Sequence, residues 1–213
     1  NGEDPQVRGA AIAALGSFTG PEAEGAIVQG LRDGVAAVRL AAIQASAALS
    51  IGAAEPFLRF RARNDPDRKV KDESIKALGA LGGRENLQFL RDLLQDKKAD
   101  APSRAVAFSV LLERDVGGSR GDLEKALAAE AASKDTTLLK AFQRALVQGT
   151  DKAAAPLVET YLLGSPDFGT RIAGIDWARR NKVGSLRAAI AAMAESDKVE
   201  SVRNRAASAL AEL

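Results

Sequence analysis

The sequence predicts an all-α protein, an α-solenoid of stacked helical hairpins, and three observations predict it. One pattern recurs roughly every 32 residues from end to end. Within each copy the apolar residues fall at i, i+4, i+5 and i+8, one stripe of a helix rather than the alternation of a strand. Forty-three of the 213 residues are alanine and aromatics make up only 4%, a mixture suited to closely packed helices.

The first copy begins at Val7-Arg8 and continues through Ala11-Ile12 and Leu15. The same register gives Val38-Arg39 with Ala42-Ile43, Val70-Lys71 with Ser74-Ile75 and Leu78, and Ser103-Arg104 with Ala107-Phe108 and Leu111. It continues at Leu138-Leu139 with Phe142 and Leu146, at Thr170-Arg171 with Gly174-Ile175, and at Val202-Arg203 with Ala206-Ala207 and Leu210. The lead positions 7, 38, 70, 103, 138, 170 and 202 are 31, 32, 33, 35, 32 and 32 residues apart.

Each stripe follows a short breaker: Asp4-Pro5, Asp33-Gly34, Asp65-Pro66-Asp67, Pro102-Ser103, Ser133 to Asp135, Ser165-Pro166-Asp167 and Ser196-Asp197. Asp and Ser accept hydrogen bonds from free amides at a helix start, and Pro suits its first turn. Upstream of every breaker but the first lies another amphipathic segment, at 23–31, 55–63, 87–94, 123–132, 154–163 and 186–194. Each copy is therefore expected to be a hairpin of a first and a second helix. Repeat boundaries are expected near 18/19, 51/52, 82/83, 117/118, 149/150 and 183/184, where glycines such as Gly82-Gly83 and Gly117-Gly118 suit a chain leaving a helix.

These residues resemble HEAT repeats, particularly the short bacterial, PBS-lyase-like variety. The run from Asp4-Pro5 through Val7-Arg8 to Leu15-Gly16 is similar to that family's second-helix signature, as are Asp65 to Gly79 and Val202 to Leu210. Pro56-Phe57-Leu58 and Pro156-Leu157-Val158 resemble its first helix. The resemblance covers residues 1–213 as one repeat domain and implies a right-handed superhelix of six to seven hairpins whose second helices line the concave side. The copy led by Leu138 departs from the pattern, with Leu139 where a basic residue belongs and Phe142 where alanine is usual. A local change of curvature is expected there.

One hairpin cannot bury its own apolar face, so each must stack on its neighbours. The basic residue after the lead position would then form a column of Arg39, Lys71, Arg104, Arg171 and Arg203. Asp33, Asp65 and Asp197 each lie six residues before the basic residue of their own copy. Turn carboxylates and helix-start guanidinium groups can therefore pair within or between neighbouring copies, and an interrepeat ladder is the preferred reading of the column over a binding surface. The denser stretch from Arg59 to Lys76 includes Arg61, Arg63 and Arg68 but also Asp65, Asp67, Asp72 and Glu73, which suits a solvated face better than phosphate binding.

The chain has no histidine and no cysteine, which excludes imidazole bases, thiolate nucleophiles, histidine metal ligands and disulfides. The di-iron hydroxylases among HEAT proteins use His-Glu pairs, so the resemblance to them is one of scaffold alone. No cofactor or metal site is expected. The charge is balanced, 30 basic against 28 acidic residues, with no basic domain to announce nucleic acid. No apolar run is long enough for a membrane span.

The one group with catalytic flavour is Asp176 and Trp177 with Arg179 and Arg180. HEAT-like DNA glycosylases hold a damaged nucleotide with a carboxylate, an aromatic surface and cations, and this group is a weak alternative site of that kind. The leading expectation is a non-catalytic, monomeric scaffold that holds a protein or peptide through a polar groove carrying Gln44, Lys76, Gln143, Arg144 and Asn204. A nucleic-acid-binding protein and a structural accessory of a larger enzyme are the alternatives. Because residue 1 precedes a second helix directly and residue 213 closely follows Leu210, the chain is expected to be part of a longer protein or one matured by removal of a leader. Cytoplasmic and exported locations both remain open.

Overall fold

A computed structural model describes residues 4–213. They are helical throughout, with thirteen α-helices and no strand among the described residues. The chain forms two compact units, the first ending at Arg114 and the second running Asp115–Leu213.

The first unit holds α1 (Pro5–Leu15), α2 (Pro21–Gly30), α3 (Ala36–Ala48), α4 (Glu55–Asn64), α5 (Arg68–Leu81), α6 (Arg84–Gln95) and α7 (Ala101–Arg114). The second helices α1, α3, α5 and α7 pack side by side in chain order, and α2, α4 and α6 back them. Burial follows the expected stripe: Val38, Ala42 and Ile43, then Val70, Ser74, Ile75 and Leu78, then Ser103, Ala107, Phe108 and Leu111 are all buried. Small side chains set the approach of the helices. A Cβ added to Gly79 would lie 2.1 Å from Val110 Cγ1, so α5 and α7 meet where glycine leaves room.

The second unit holds α8 (Val116–Ala131), α9 (Thr137–Gln148), α10 (Ala155–Val158), α11 (Phe168–Arg180), α12 (Arg187–Ser196) and α13 (Glu200–Leu210). The end of α10 widens into a π-helical turn, Glu159–Leu163, in which Gly164 N–H donates to Glu159 O at 3.0 Å. Second helices α9, α11 and α13 form one row here, with Leu138, Phe142 and Leu146, then Ile175 and Ala178, then Val202 and Ala206 buried.

Helix starts obey the breaker chemistry. Asp4 accepts from Gln6 N–H, Asp67 from Val70 N–H and Asp167 from Thr170 N–H, at 2.8, 3.1 and 2.7 Å. Helix ends follow the expected glycine punctuation in part: Gly82 ends α5 with φ 65°, but other ends depart from it. Gly117 and Gly118 lie in the first turn of α8, so the boundary expected at 117/118 moves to 114/115. Their role is at a helix start: a Cβ on Gly118 would lie 2.5 Å from Asp115 Oδ1, in the space that carboxylate uses to accept from Ser119 Oγ. After α3 and α11, positive φ falls on Ser50 (53°) and Lys182 (50°) rather than on a glycine. Ile51 N–H donates to Ser46 O and Val183 N–H to Ala178 O, the six-to-one bond of a Schellman turn. Burial of Ile51 and Val183 offsets the left-handed residue before each.

Candidate functional site

The basic column and the turn aspartates assemble into a ladder with a definite direction. In each rung the guanidinium of one second helix reaches forward to the aspartate of the next turn. Arg8 Nε donates to Asp33 Oδ2 at 2.8 Å and Arg39 Nη2 to Asp65 Oδ1 at 2.7 Å. Arg171 holds both oxygens of Asp197, at 2.8 and 3.0 Å. In α5 the rung is doubled, with Lys71 Nζ 3.0 Å from Asp100 Oδ2 and Arg68 also bonded to that carboxylate.

These aspartates also organise their own turns. Oδ1 of Asp33, Asp65 and Asp197 accepts the N–H two residues on, from Val35, Asp67 and Val199 at 2.8 to 2.9 Å, and Asp100 Oδ1 that of Ser103 at 2.8 Å. At Asp33 and Asp197 the backbone carbonyl accepts from the arginine six residues later, Arg39 at 2.9 Å and Arg203 at 2.7 Å. Side chain and carbonyl of one residue thus link two consecutive second helices.

The charges are locked by this geometry. The hydrogen bond from Arg8 holds the Asp33 carboxyl below the usual range, assisted by Val35 N–H. At Asp100 and Asp197 burial pushes upward, but hydrogen bonds and nearby cations win and both carboxyls lie low. The Arg39–Asp65 rung is buried, at 5% and 0% side-chain exposure.

Within the second unit the ladder is broken between α9 and α11. Leu139 takes the arginine position on α9, and Ser165 takes the aspartate position six residues before Arg171. Ser165 still organises its turn through Oγ, which accepts from Asp167 N–H at 3.2 Å, and Ser165 O still accepts from Arg171 at 2.9 Å. Only the link to the preceding helix is gone. Helices α9 and α11 meet over less of their length than α11 and α13 do, and a groove of about 750 Å³ opens between them. Its α9 wall carries Leu139, Gln143 and Val147, with Lys140 and Arg144 along the lip; its α11 wall carries Asp167, Thr170 and Ala173. Gln143 Nε2 donates to Tyr161 O at 3.0 Å, a carbonyl of the π-helical turn. Gln143 and Arg144 belong to the polar groove expected from the sequence; the gap itself was announced only by Leu139.

The remaining sequence candidates are dispersed into structural contacts. Arg104 donates from Nε to Leu94 O at 2.9 Å. Asp176 pairs with Arg205 at 2.5 Å, Arg179 with Glu212 at 3.1 Å, and Arg180 donates to Val147 O. Trp177 is fully buried and donates from Nε1 to Gly149 O at 2.6 Å, so it offers no stacking face to a nucleotide and the four residues do not converge. In the Arg59 to Lys76 stretch, Arg59 bonds Glu55 and Asn86, Arg61 bonds Leu31 O, Arg63 stacks 5.0 Å over Phe89 and Lys76 pairs with Glu73.

Residues 26–111 match the family of HEAT repeats. No curated protein matches the chain. Among solved structures, human deoxyhypusine hydroxylase in complex with glycerol aligns over 99% of this chain and 91% of its own, at 19% identity and a TM-score of 0.41.

Proposed function

We propose that this chain, whose residues 26–111 match HEAT repeats, is a non-catalytic scaffold that holds a protein or peptide on its second helices. The observation that carries this reading is the division of labour among those helices. Arg8, Arg39, Lys71 and Arg171 are engaged in joining one repeat to the next, while a groove of ligand size opens where the join is omitted. A surface of mixed polarity with few fixed charges suits recognition of protein. Nucleic acid is disfavoured because Arg39, Lys71 and Arg171 of the basic column have carboxylate partners, Arg104 and Arg203 bond backbone carbonyls, and Trp177 is in the core. No helix among the described residues is long and apolar enough to cross a membrane.

The test is capture from a lysate of the source organism with the full chain as bait, at low and at raised salt. A discrete protein retained under both conditions is expected. Recovery of nucleic acid that is shed as salt rises would replace the scaffold with a nucleic-acid reading.

A further inference from the structure

The geometry points to the groove between α9 and α11 as a docking cleft for an extended acidic peptide segment that carries an apolar side chain. This names the partner class for the scaffold reading and rests on it. Charge selects the class. Helix α9 contains Lys140 and Arg144 and no carboxylate. The two cations stand one turn apart on the exposed lip. Hydrogen bonds from Thr170 hold the Asp167 carboxyl below the usual range, and Lys140 is near enough to help.

Asp167 is the groove's one carboxylate among the described residues, and it is already engaged. Its Oδ2 accepts from Thr170 N–H at 2.7 Å and from Thr170 Oγ1 at 2.8 Å. With two cations, Lys140 and Arg144, against the one carboxylate of Asp167, the groove lining is net positive. Below the lip, half-buried Leu139, Val147 and Ala173 form an apolar floor, which fits an aliphatic side chain between two acidic ones.

Size and backbone chemistry agree. Twelve residues of α9 span about 18 Å, room for about five residues of extended chain. Gln143 is oriented by its bond to Tyr161 O, which leaves its amide oxygen as an acceptor for a guest N–H. The carbonyl it meets lies in the π-helical turn, an irregularity of the kind that recurs at functional positions.

The experiment uses the full chain, 15N-labelled, and an acetylated, amidated hexapeptide of alternating glutamate and leucine, with lysine replacing glutamate in the control peptide. The acidic peptide is expected to shift amides of α9 and α11 and to bind at least about tenfold more tightly than the basic one. Lys140→Glu with Arg144→Glu should reverse that order, and both sites are exposed, so folding is unaffected. A second variant, Leu139→Arg with Ser165→Asp, rebuilds the missing rung in the register of Arg39–Asp65; it should close the groove, protect α9 and α11 amides from exchange and abolish binding. Equal binding of the two peptides, shifts confined to other helices, or undiminished binding by the rebuilt-rung variant would each overturn the proposal. If a captured protein is retained equally by that variant, the cleft assignment falls and the scaffold stands. If neither peptide nor protein binds, both fall together.

Discussion

Replacing Asp65 by alanine should be among the most damaging single changes in the first unit. The Asp65 carboxylate is fully buried and receives Arg39 Nη2 at 2.7 Å, Asp67 N–H at 2.9 Å and Arg61 Nη1 at 3.4 Å. Without it the buried Arg39 guanidinium keeps only the carbonyls of Asp33 and Gly34, and its Nε already lacks an acceptor. Removing one partner of such a pair costs about 3–5 kcal/mol. Arg39→Met keeps the apolar bulk and leaves Asp65 with Arg61 and Asp67 N–H, so about 2–3 kcal/mol is expected. The double variant should be less damaging than the sum of the singles by about 2 kcal/mol, because the second change removes a charge the first has stranded. Arg68→Met, at a rung roughly 40% exposed on both sides, serves as the control and should cost no more than about 1 kcal/mol. Urea unfolding followed by far-UV circular dichroism gives the energies, and hydrogen exchange of α3 and α5 localises them. An Asp65→Ala loss no larger than that of Arg68→Met, or strict additivity of the two singles, would refute the claim that buried rungs staple neighbouring repeats.

Three further outcomes follow from the packing and the charges. Gly79→Ala should destabilise by about 1–3 kcal/mol through the clash with stiff Val110, whereas Gly25→Ala, with open space around its Cβ, should stabilise α2 by up to about 1 kcal/mol; thermal melts that rank them the other way would contradict the close approach of α5 and α7. Ser50→Gly should add about 0.5–1 kcal/mol by relieving the left-handed residue after α3, with Ala47→Gly as a destabilising control in the same unfolding assay. Acid should weaken the fold at the rungs: the Asp33, Asp100 and Asp197 carboxyls titrate lower folded than unfolded. Their contribution is then complete above about pH 4 and lost as pH falls through the folded values. A melting temperature unchanged between about pH 5 and pH 2 would count against it.

Helix spacing was largely readable from sequence, because burial of one helical face imposes a period that Val38, Val70, Leu138 and Val202 display. Rung direction was not. The six-residue offset of Asp65 from Lys71 permits pairing within a copy as readily as between copies, and only three-dimensional stacking puts Arg39 beside Asp65. Gly117 and Gly118 were misplaced because glycine permits a helix end without requiring one, and here it makes room for the Asp115 carboxylate. The turns after α3 and α11 were marked by Gly52 and Gly184, but the left-handed residues are Ser50 and Lys182, two positions earlier; buried Ile51 and Val183 were the available signal for that. Trp177 sits one residue from the +8 position, on a face that a helical wheel leaves ambiguous and that the packing resolves as interior. The groove was half visible, since Leu139 was an evident irregularity, but its partner change at Ser165 acquires meaning only once the rung register is known.

That register also constrains how such an array can be rearranged. The hairpins led by Val38, Val70, Leu138, Thr170 and Val202 carry a plug, the residue after the lead position, and a socket, the residue six before that plug; in the copy led by Ser103 the socket is Asp100, four residues before Arg104. Arg39 and Asp65 fit; so do Leu139 and Ser165, a neutral plug for a neutral socket. Moving the Leu139 copy in front of Asp65 or Asp197 would leave a socket carboxylate without its guanidinium, and placing Arg39 before Ser165 would leave the plug unanswered. The copies are similar enough to duplicate but are not interchangeable. Their order along the chain is therefore written into two residues per junction, and recombination within the array is tolerated only where plug and socket travel together.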